Sequence, residues 1–254
     1  MLTPARHIYQ PLTPNHAQPR HARLDVLRGL AMLWMTLFHF GFDLNHFGWI
    51  RADFYRDPFW TWQRTCIVSL FLLCAGIGQA VAVGQGQSWP RFWRRWGQVA
   101  VCALLVSLGS WLMFPRSFIS FGVLHGMAVM LLLLRWAAPR LPTVLLVALA
   151  LLALAAPSLW QHPWFDTRWT NWLGLITHKP VTEDYVPVLP WLGVMLLGFV
   201  LGRWLTARAA WLEGPVPRGL SPLARLGRWS LSYYMLHQPV LIAALSLLQW
   251  LRLP

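Results

Sequence analysis

Acidic side chains are scarce in this chain: eight aspartates and glutamates stand against 21 lysines and arginines in 254 residues, and charged residues make up only 11%. A soluble domain carries about a quarter of its residues charged, so that class is excluded. Cysteine is nearly as rare. Cys66, Cys74 and Cys102 all lie in apolar runs without a CxxC spacing, which argues against a disulfide framework or a zinc knuckle. No internal repeat is evident, which weakens the case for a transporter built from two related halves. The opening stretch MLTPARHIYQPLTPNHAQPRHAR has no apolar core, so it reads as a short cytoplasmic tail over 1–22 and not as a cleaved signal peptide.

Hydrophobic residues, in contrast, make up 57% of the chain. Seven segments are apolar over enough length to cross a hydrocarbon core of about 30 Å: 27–47, 60–83, 97–114, 119–135, 141–157, 187–205 and 230–251. The expectation is an all-α, polytopic transmembrane helix bundle in one domain, 23–254. The net charge of +13 could indicate nucleic-acid binding, but the arginines fall between apolar runs and form no basic module. Topology explains them better. With the amino terminus inside, fourteen basic residues face the cytoplasm and seven (Arg51, Arg56, Arg64, Arg116, Arg168, Lys179 and Arg252) face the other side. That places the carboxyl terminus outside. The long tryptophan-bearing stretch PSLWQHPWFDTRWTNWLGLITHKPVTEDYVP then faces outward, as an interfacial belt or as a platform for sugars.

The first apolar segment, RLDVLRGLAMLWMTLFHFGFDLNHFG, carries ionisable groups at depths where they are costly. At 100° per residue Asp25, Arg28, His39, Asp43 and His46 fall within an arc of about 60°. One stripe of this kind faces a bundle interior or a water-filled path, not lipid. His39 lies about 16 Å beyond Arg28 along the helix, near mid-membrane, and His46 about 10 Å further. On the seventh segment Ser230, Tyr234 and His237 share a face, and Pro239 is expected to kink the helix beside His237. His125, on a segment entering from outside, is expected roughly 10 Å deep.

Histidine exchanges protons near neutral pH, so His39 or His46 could act as a general base or as a transient acyl carrier, with Asp43 one turn from both. The stretch GQGQSWPRFWRRWGQ (84–98) reads as a cytoplasmic loop whose Arg91, Arg94 and Arg95 could hold the phosphates of a nucleotide-like donor, or could simply fix topology. His39, Asp43 and His46 have a spacing open to metal binding and the membrane histidines could ligate haem, though neither carries a specific signature. A transporter or flippase with a histidine proton relay is the alternative of a different class.

Four stretches taken together, RLDVLRGLAMLWMTLFHFGFDLNHFG, SFGVLHGMA (120–128), EDYVPVLPWLGVMLLG (183–198) and LARLGRWSLSYYMLHQPV (223–240), resemble bacterial relatives of heparan-α-glucosaminide N-acetyltransferase. The first is also similar to the start of membrane acyltransferases that modify surface polysaccharides, and Arg28 and His39 match their arginine–histidine spacing. The resemblance implies an acyltransferase of the bacterial inner membrane. Acyl-CoA, in the simplest case acetyl-CoA, would approach from the cytoplasm near Arg28, Arg91, Arg94 and Arg95. An acceptor resembling a glycan or amino sugar would wait outside, with no metal and no nucleic acid involved. His39, His46 and Asp43 would be catalytic, and Asp25, His125, Asp184, Tyr234, His237 and Gln238 would support the site. A homodimer is compatible with this reading. His46 stands nearest the lumenal histidine used by the lysosomal enzyme, while FHFGFDLNHFG replaces that enzyme's asparagine- and glycine-rich pattern.

Overall fold

A computed structural model describes residues 21–208 and 210–252. Most of the tail expected over 1–22 lies outside the described residues. Each of the seven expected segments contains a helix: α1 (Ala22–His46), α2 (Pro58–Gly84), α3 (Trp89–Met113), α4 (Val123–Trp136), α5 (Thr143–Leu159), α6 (Val188–Thr206) and, after the short α7 (Ala210–Glu213) and α8 (Ser221–Arg228), α9 (Ser230–Arg252). No strand occurs among the described residues; Phe121 and Tyr185 form an isolated parallel bridge. The chain is thus an all-helical bundle. Helices α2, α3, α6 and α9 are long and apolar enough to cross a membrane by themselves, α5 is a shorter apolar helix, and α1 carries the polar stripe.

Local chemistry sets the helix starts. The Asp57 carboxylate accepts the Phe59 N–H at 2.9 Å and Pro58 occupies the first turn of α2, where its missing N–H costs nothing. Pro90 plays the same part in α3. Here the structure corrects the sequence reading: 84–98 is not a loop, because α3 begins at Trp89 and Arg91, Arg94 and Arg95 ride on its first turns. Residues 119–122 are likewise not helical. Gly122 is extended (φ −98°, ψ −167°), so His125 lies in the first turn of α4 and not two turns deep. Helix α9 continues through Pro239 without a break in its assignment.

Glycines bring backbones together where the bundle is tightest. A Cβ on Gly76 of α2 would lie 2.2 Å from the Met195 carbonyl oxygen of α6, and one on Gly198 would lie 2.5 Å from that of Leu73. Small residues are what allow such backbone contact between membrane helices. Around this seam lies the main core, including Leu72, Met130, Leu146, Met195 and Phe199, all essentially inaccessible. A second close approach joins α1 to α8, where a Cβ on Gly227 would meet the Asp25 carbonyl and one on Gly29 the Leu223 carbonyl. This contact pins the start of α1 beside the start of α9.

Candidate active site

Helices α1 and α9 run in the same direction and are joined by three polar rungs. Thr36 Oγ1 and Tyr233 Oη are 2.8 Å apart, His39 Nδ1 and His237 Nε2 are 2.8 Å apart, and Gln238 Nε2 donates to Asp43 Oδ1 at 2.7 Å. The imidazoles of the middle rung are nearly parallel, with centroids 5.0 Å apart and an interplanar angle of 11°. Phe38, one residue before His39, packs edge-on to Phe54 and Trp60 and fixes the rotation of α1.

The neighbours assign the tautomers of the neutral pair. His237 Nδ1 lies 2.7 Å from the Tyr234 carbonyl oxygen, which can only accept, so this nitrogen carries the proton. His237 Nε2 is therefore an acceptor, and His39 must donate to it through Nδ1. What remains is a lone pair on His39 Nε2. A carbonyl orienting one imidazole, which orients a second, reproduces the logic by which a catalytic base is held in the correct tautomer.

At the amino-terminal end of α1 a cavity of about 840 Å³ penetrates the bundle. Arg28, Arg91, Arg95 and Arg228 line it, whereas Arg94 is exposed and does not. Arg28 bonds Asp25 at 3.0 Å and lies across Gly78, where any Cβ would collide with the guanidinium. Two further lining residues, Gln79 and Gln87, keep Nε2 and Oε1 respectively buried without a partner. The cavity also reaches Met32, Val123, Leu124 and Tyr234. Tyr234 is shared with the histidine pair, its ring centroid 5.8 Å from that of His237.

The other expected residues divide by environment. His46 is exposed near the far end of α1, edge-on to Phe114 at 6.3 Å. His125 has both ring nitrogens engaged. Nδ1 accepts the Gly122 N–H at 3.3 Å, so Nε2 carries the proton and donates to Ser107 Oγ at 3.0 Å, while Ser107 donates to the Ile119 carbonyl at 2.6 Å. The histidine thereby closes the first turn of α4. Asp184 accepts the Val123 N–H at 2.7 Å. Burial holds its carboxyl above the usual range, opposed by that hydrogen bond and by the charges of Arg64 and Lys179. The metal reading gains no geometry: Asp43 pairs with Gln238 and His39 with His237, and no cluster of three or more His, Cys, Asp or Glu occurs among the described residues.

Gln79, Gln87 and Arg228 at the cavity and Thr36 and Tyr233 between α1 and α9 are further site residues without a motif in the sequence. Only Arg228, a charge immediately before the seventh apolar segment, has a signal in the sequence, and topology accounts for that charge equally well.

The fold and site define an integral membrane helix bundle with an arginine-lined cavity and a hydrogen-bonded pair of histidines between α1 and α9. The family model for heparan-alpha-glucosaminide N-acetyltransferase, catalytic, matches residues 20–239, so the chain belongs to this family of membrane acetyltransferases. No curated protein and no solved structure matches it.

Proposed function

We propose that the protein transfers an acyl group, in the simplest case acetyl, from cytoplasmic acyl-CoA to a glycan-like or amino-sugar acceptor across a bacterial inner membrane. The amino terminus is then cytoplasmic, in keeping with the excess of arginine on that side. The observation that carries the reading is a cavity lined by Arg28, Arg91, Arg95 and Arg228 whose lining residue Tyr234 also packs against His237, the partner of His39.

A volume of about 840 Å³ is within the range of cofactor-sized sites. Guanidinium groups suit the phosphates of CoA, since each offers paired donors and a permanent charge. Gln79 Nε2 and Gln87 Oε1 add one unpartnered donor and one unpartnered acceptor for the rest of the nucleotide. With the phosphates held at the arginines, the pantetheine arm points inward and the thioester arrives near Tyr234. His39 Nε2 takes the proton from the acceptor amine or hydroxyl as that group attacks the thioester carbonyl. The new C–N or C–O bond forms, the C–S bond breaks, and the thiolate leaves with the proton returned by His39. The His237 Nε2 acceptor strengthens its hydrogen bond as positive charge develops on His39.

Donor binding tests the assignment of the cavity. Calorimetric titration of the purified protein in nanodiscs with acetyl-CoA should give saturable binding that weakens up to about tenfold in Arg28→Gln, which is partly buried, and less in Arg228→Gln, which is exposed, one charge-assisted contact being worth roughly 1.5–3 kcal/mol before solvent screening. Unchanged affinity in both variants would remove the cavity from the mechanism.

A further inference from the structure

Helix α8 is held by one face and free on the other. Leu223 and Gly227 meet the backbone of α1 at Gly29 and Asp25, and at 100° per residue Ser221 and Arg225 lie on the opposite side. On that outer side a groove of about 390 Å³ is lined by Ser221, Pro222, Arg225, Leu226, Trp229 and Tyr233. It shares no residue with the arginine-lined cavity, to which Arg228 belongs. Arg225 is exposed and makes no hydrogen bond or ion pair among the described residues. No Asp or Glu occurs over 214–252, and Asp25, whose carbonyl meets Gly227, has its carboxylate on Arg28. The groove is therefore positive without an internal counter-charge. Trp229, also exposed, directly precedes Ser230–Leu251, a span long and apolar enough to cross a membrane, so its ring stands at the depth of lipid headgroups.

From this arrangement we infer that the groove binds one anionic glycerophospholipid of the leaflet beside the start of α9, independently of the acyl-transfer reading. Each lining group meets a different part of that molecule. The Arg225 guanidinium, permanently charged, offers paired donors to the phosphodiester. The Trp229 indole N–H has no partner among the described residues and adds a donor for an ester or phosphate oxygen. Ser221 Oγ donates to the Arg218 carbonyl at 2.8 Å, so it presents only lone pairs, which suit a headgroup hydroxyl. Tyr233 lies about 6 Å further along the chain axis. Thr36 gives its proton to the Met32 carbonyl, so Tyr233 Oη donates to Thr36 and the tyrosine ring is held in place against the groove. Beyond it, the exposed Leu236 and Val240 fall within about 60° of Tyr233 around α9 and carry an acyl chain into the bilayer. A zwitterionic lipid fits the same apolar track but brings its own cation toward Arg225, whereas an anionic one supplies the charge that Arg225 lacks. The bound lipid braces α9 against α1 at the Tyr233–Thr36 rung, beside the His237 ring that stacks on Tyr233.

The test is native mass spectrometry of the full chain in detergent, titrated at one ionic strength with palmitoyl-oleoyl-phosphatidylglycerol or palmitoyl-oleoyl-phosphatidylcholine. Wild type should bind its first phosphatidylglycerol about fivefold or more tightly than its first phosphatidylcholine, the scale of one arginine at an anionic headgroup. Arg225→Gln should bring the two lipids within twofold of each other, and Arg225→Lys should restore part of the preference. Trp229→Phe, which keeps a ring and drops the donor, should weaken phosphatidylglycerol binding about threefold. Arg140→Gln, which removes an exposed arginine outside the groove, should keep the wild-type preference. Melting in nanodiscs gives a second readout. Wild type should melt higher with phosphatidylglycerol in the bilayer than in phosphatidylcholine alone, and Arg225→Gln should lose that increment while matching wild type in phosphatidylcholine. Should Arg225→Gln melt early in phosphatidylcholine, Trp229→Phe decides, and an unchanged affinity in it overturns the site. Equal binding of both lipids by wild type, a preference retained in well-folded Arg225→Gln, or the same loss in Arg140→Gln would overturn it as well. Displacement of phosphatidylglycerol by millimolar glycerol 3-phosphate would reduce the groove to a phosphate site and overturn the lipid assignment.

Discussion

Replacing His237 with phenylalanine separates the shape of the histidine pair from its hydrogen bond. The ring of His237 stacks on His39 at 5.0 Å and on Tyr233 at 6.0 Å, and phenylalanine keeps that surface. What it loses is the acceptor 2.8 Å from His39 Nδ1. When His39 takes a proton in the transition state, that contact becomes a charge-assisted hydrogen bond worth about 1.5–3 kcal/mol. At 1.36 kcal/mol per factor of ten, its loss lowers kcat roughly tenfold to a hundredfold. The donor KM should stay within about twofold, since the cavity's arginines are untouched. His237→Gln, which can offer an amide oxygen to Nδ1, should fall between wild type and His237→Phe. Steady-state release of CoA from acetyl-CoA, followed with a thiol reagent in the presence of acceptor, measures all three. A kcat for His237→Phe within threefold of wild type would refute the tautomer relay, and so would a glutamine variant no better than the phenylalanine one.

Three further outcomes follow from the same structure. Gly76→Ala places a methyl carbon where the Met195 carbonyl stands 2.2 Å away, so it should destabilise the α2–α6 seam by about 1–3 kcal/mol, read as a lower melting temperature in detergent at unchanged acetyl-CoA affinity. Asp184 has a carboxyl held above its usual range by burial, so the folded protein binds a proton more readily than the unfolded chain; its contribution is fully present below the unfolded pKa of 3.8 and is lost as pH rises through the folded one. Asp184→Asn, which retains an oxygen for the Val123 N–H, should therefore flatten the fall in melting temperature above pH 4, and a variant curve parallel to wild type would count against this account. Ser107→Ala should lower the melting temperature through the loss of the His125 and Ile119 contacts while leaving CoA release within about threefold, because His125 engages both nitrogens in closing the first turn of α4.

Much of the bundle is legible in the chain because membrane helices announce themselves by apolar length, and the stripe of α1 emerges from 100° arithmetic alone. The same face nevertheless meets three environments: Asp25 and Arg28 border the cavity, His39 and Asp43 meet α9, and His46 reaches the exposed end. Periodicity gives direction around a helix and says nothing of what stands opposite. The pairing of His39 with His237 is a contact between residues 198 apart in sequence, invisible to any local pattern. The start of α3 is hidden in the sequence because WPRFWRRWGQ is rich in arginine and tryptophan, and charge next to an apolar run looks like a loop when it is the amphipathic entry of a helix. Counting helical rise from 119 does not locate His125, because residues 120–122 run extended and Phe121 bonds across to the segment before α6.

The two histidines seven residues apart on α1 are distinguished by one comparison. Acetyl transfer from labelled acetyl-CoA by wild type, His39→Ala and His46→Ala, each purified in nanodiscs with glucosamine as acceptor, tests whether the buried relay or the exposed histidine does the chemistry. The relay requires that His39→Ala lose at least a hundredfold in kcat, in line with the contribution of a positioned general base, while His46→Ala remains within tenfold of wild type. Full loss in His46→Ala with activity retained in His39→Ala would contradict it.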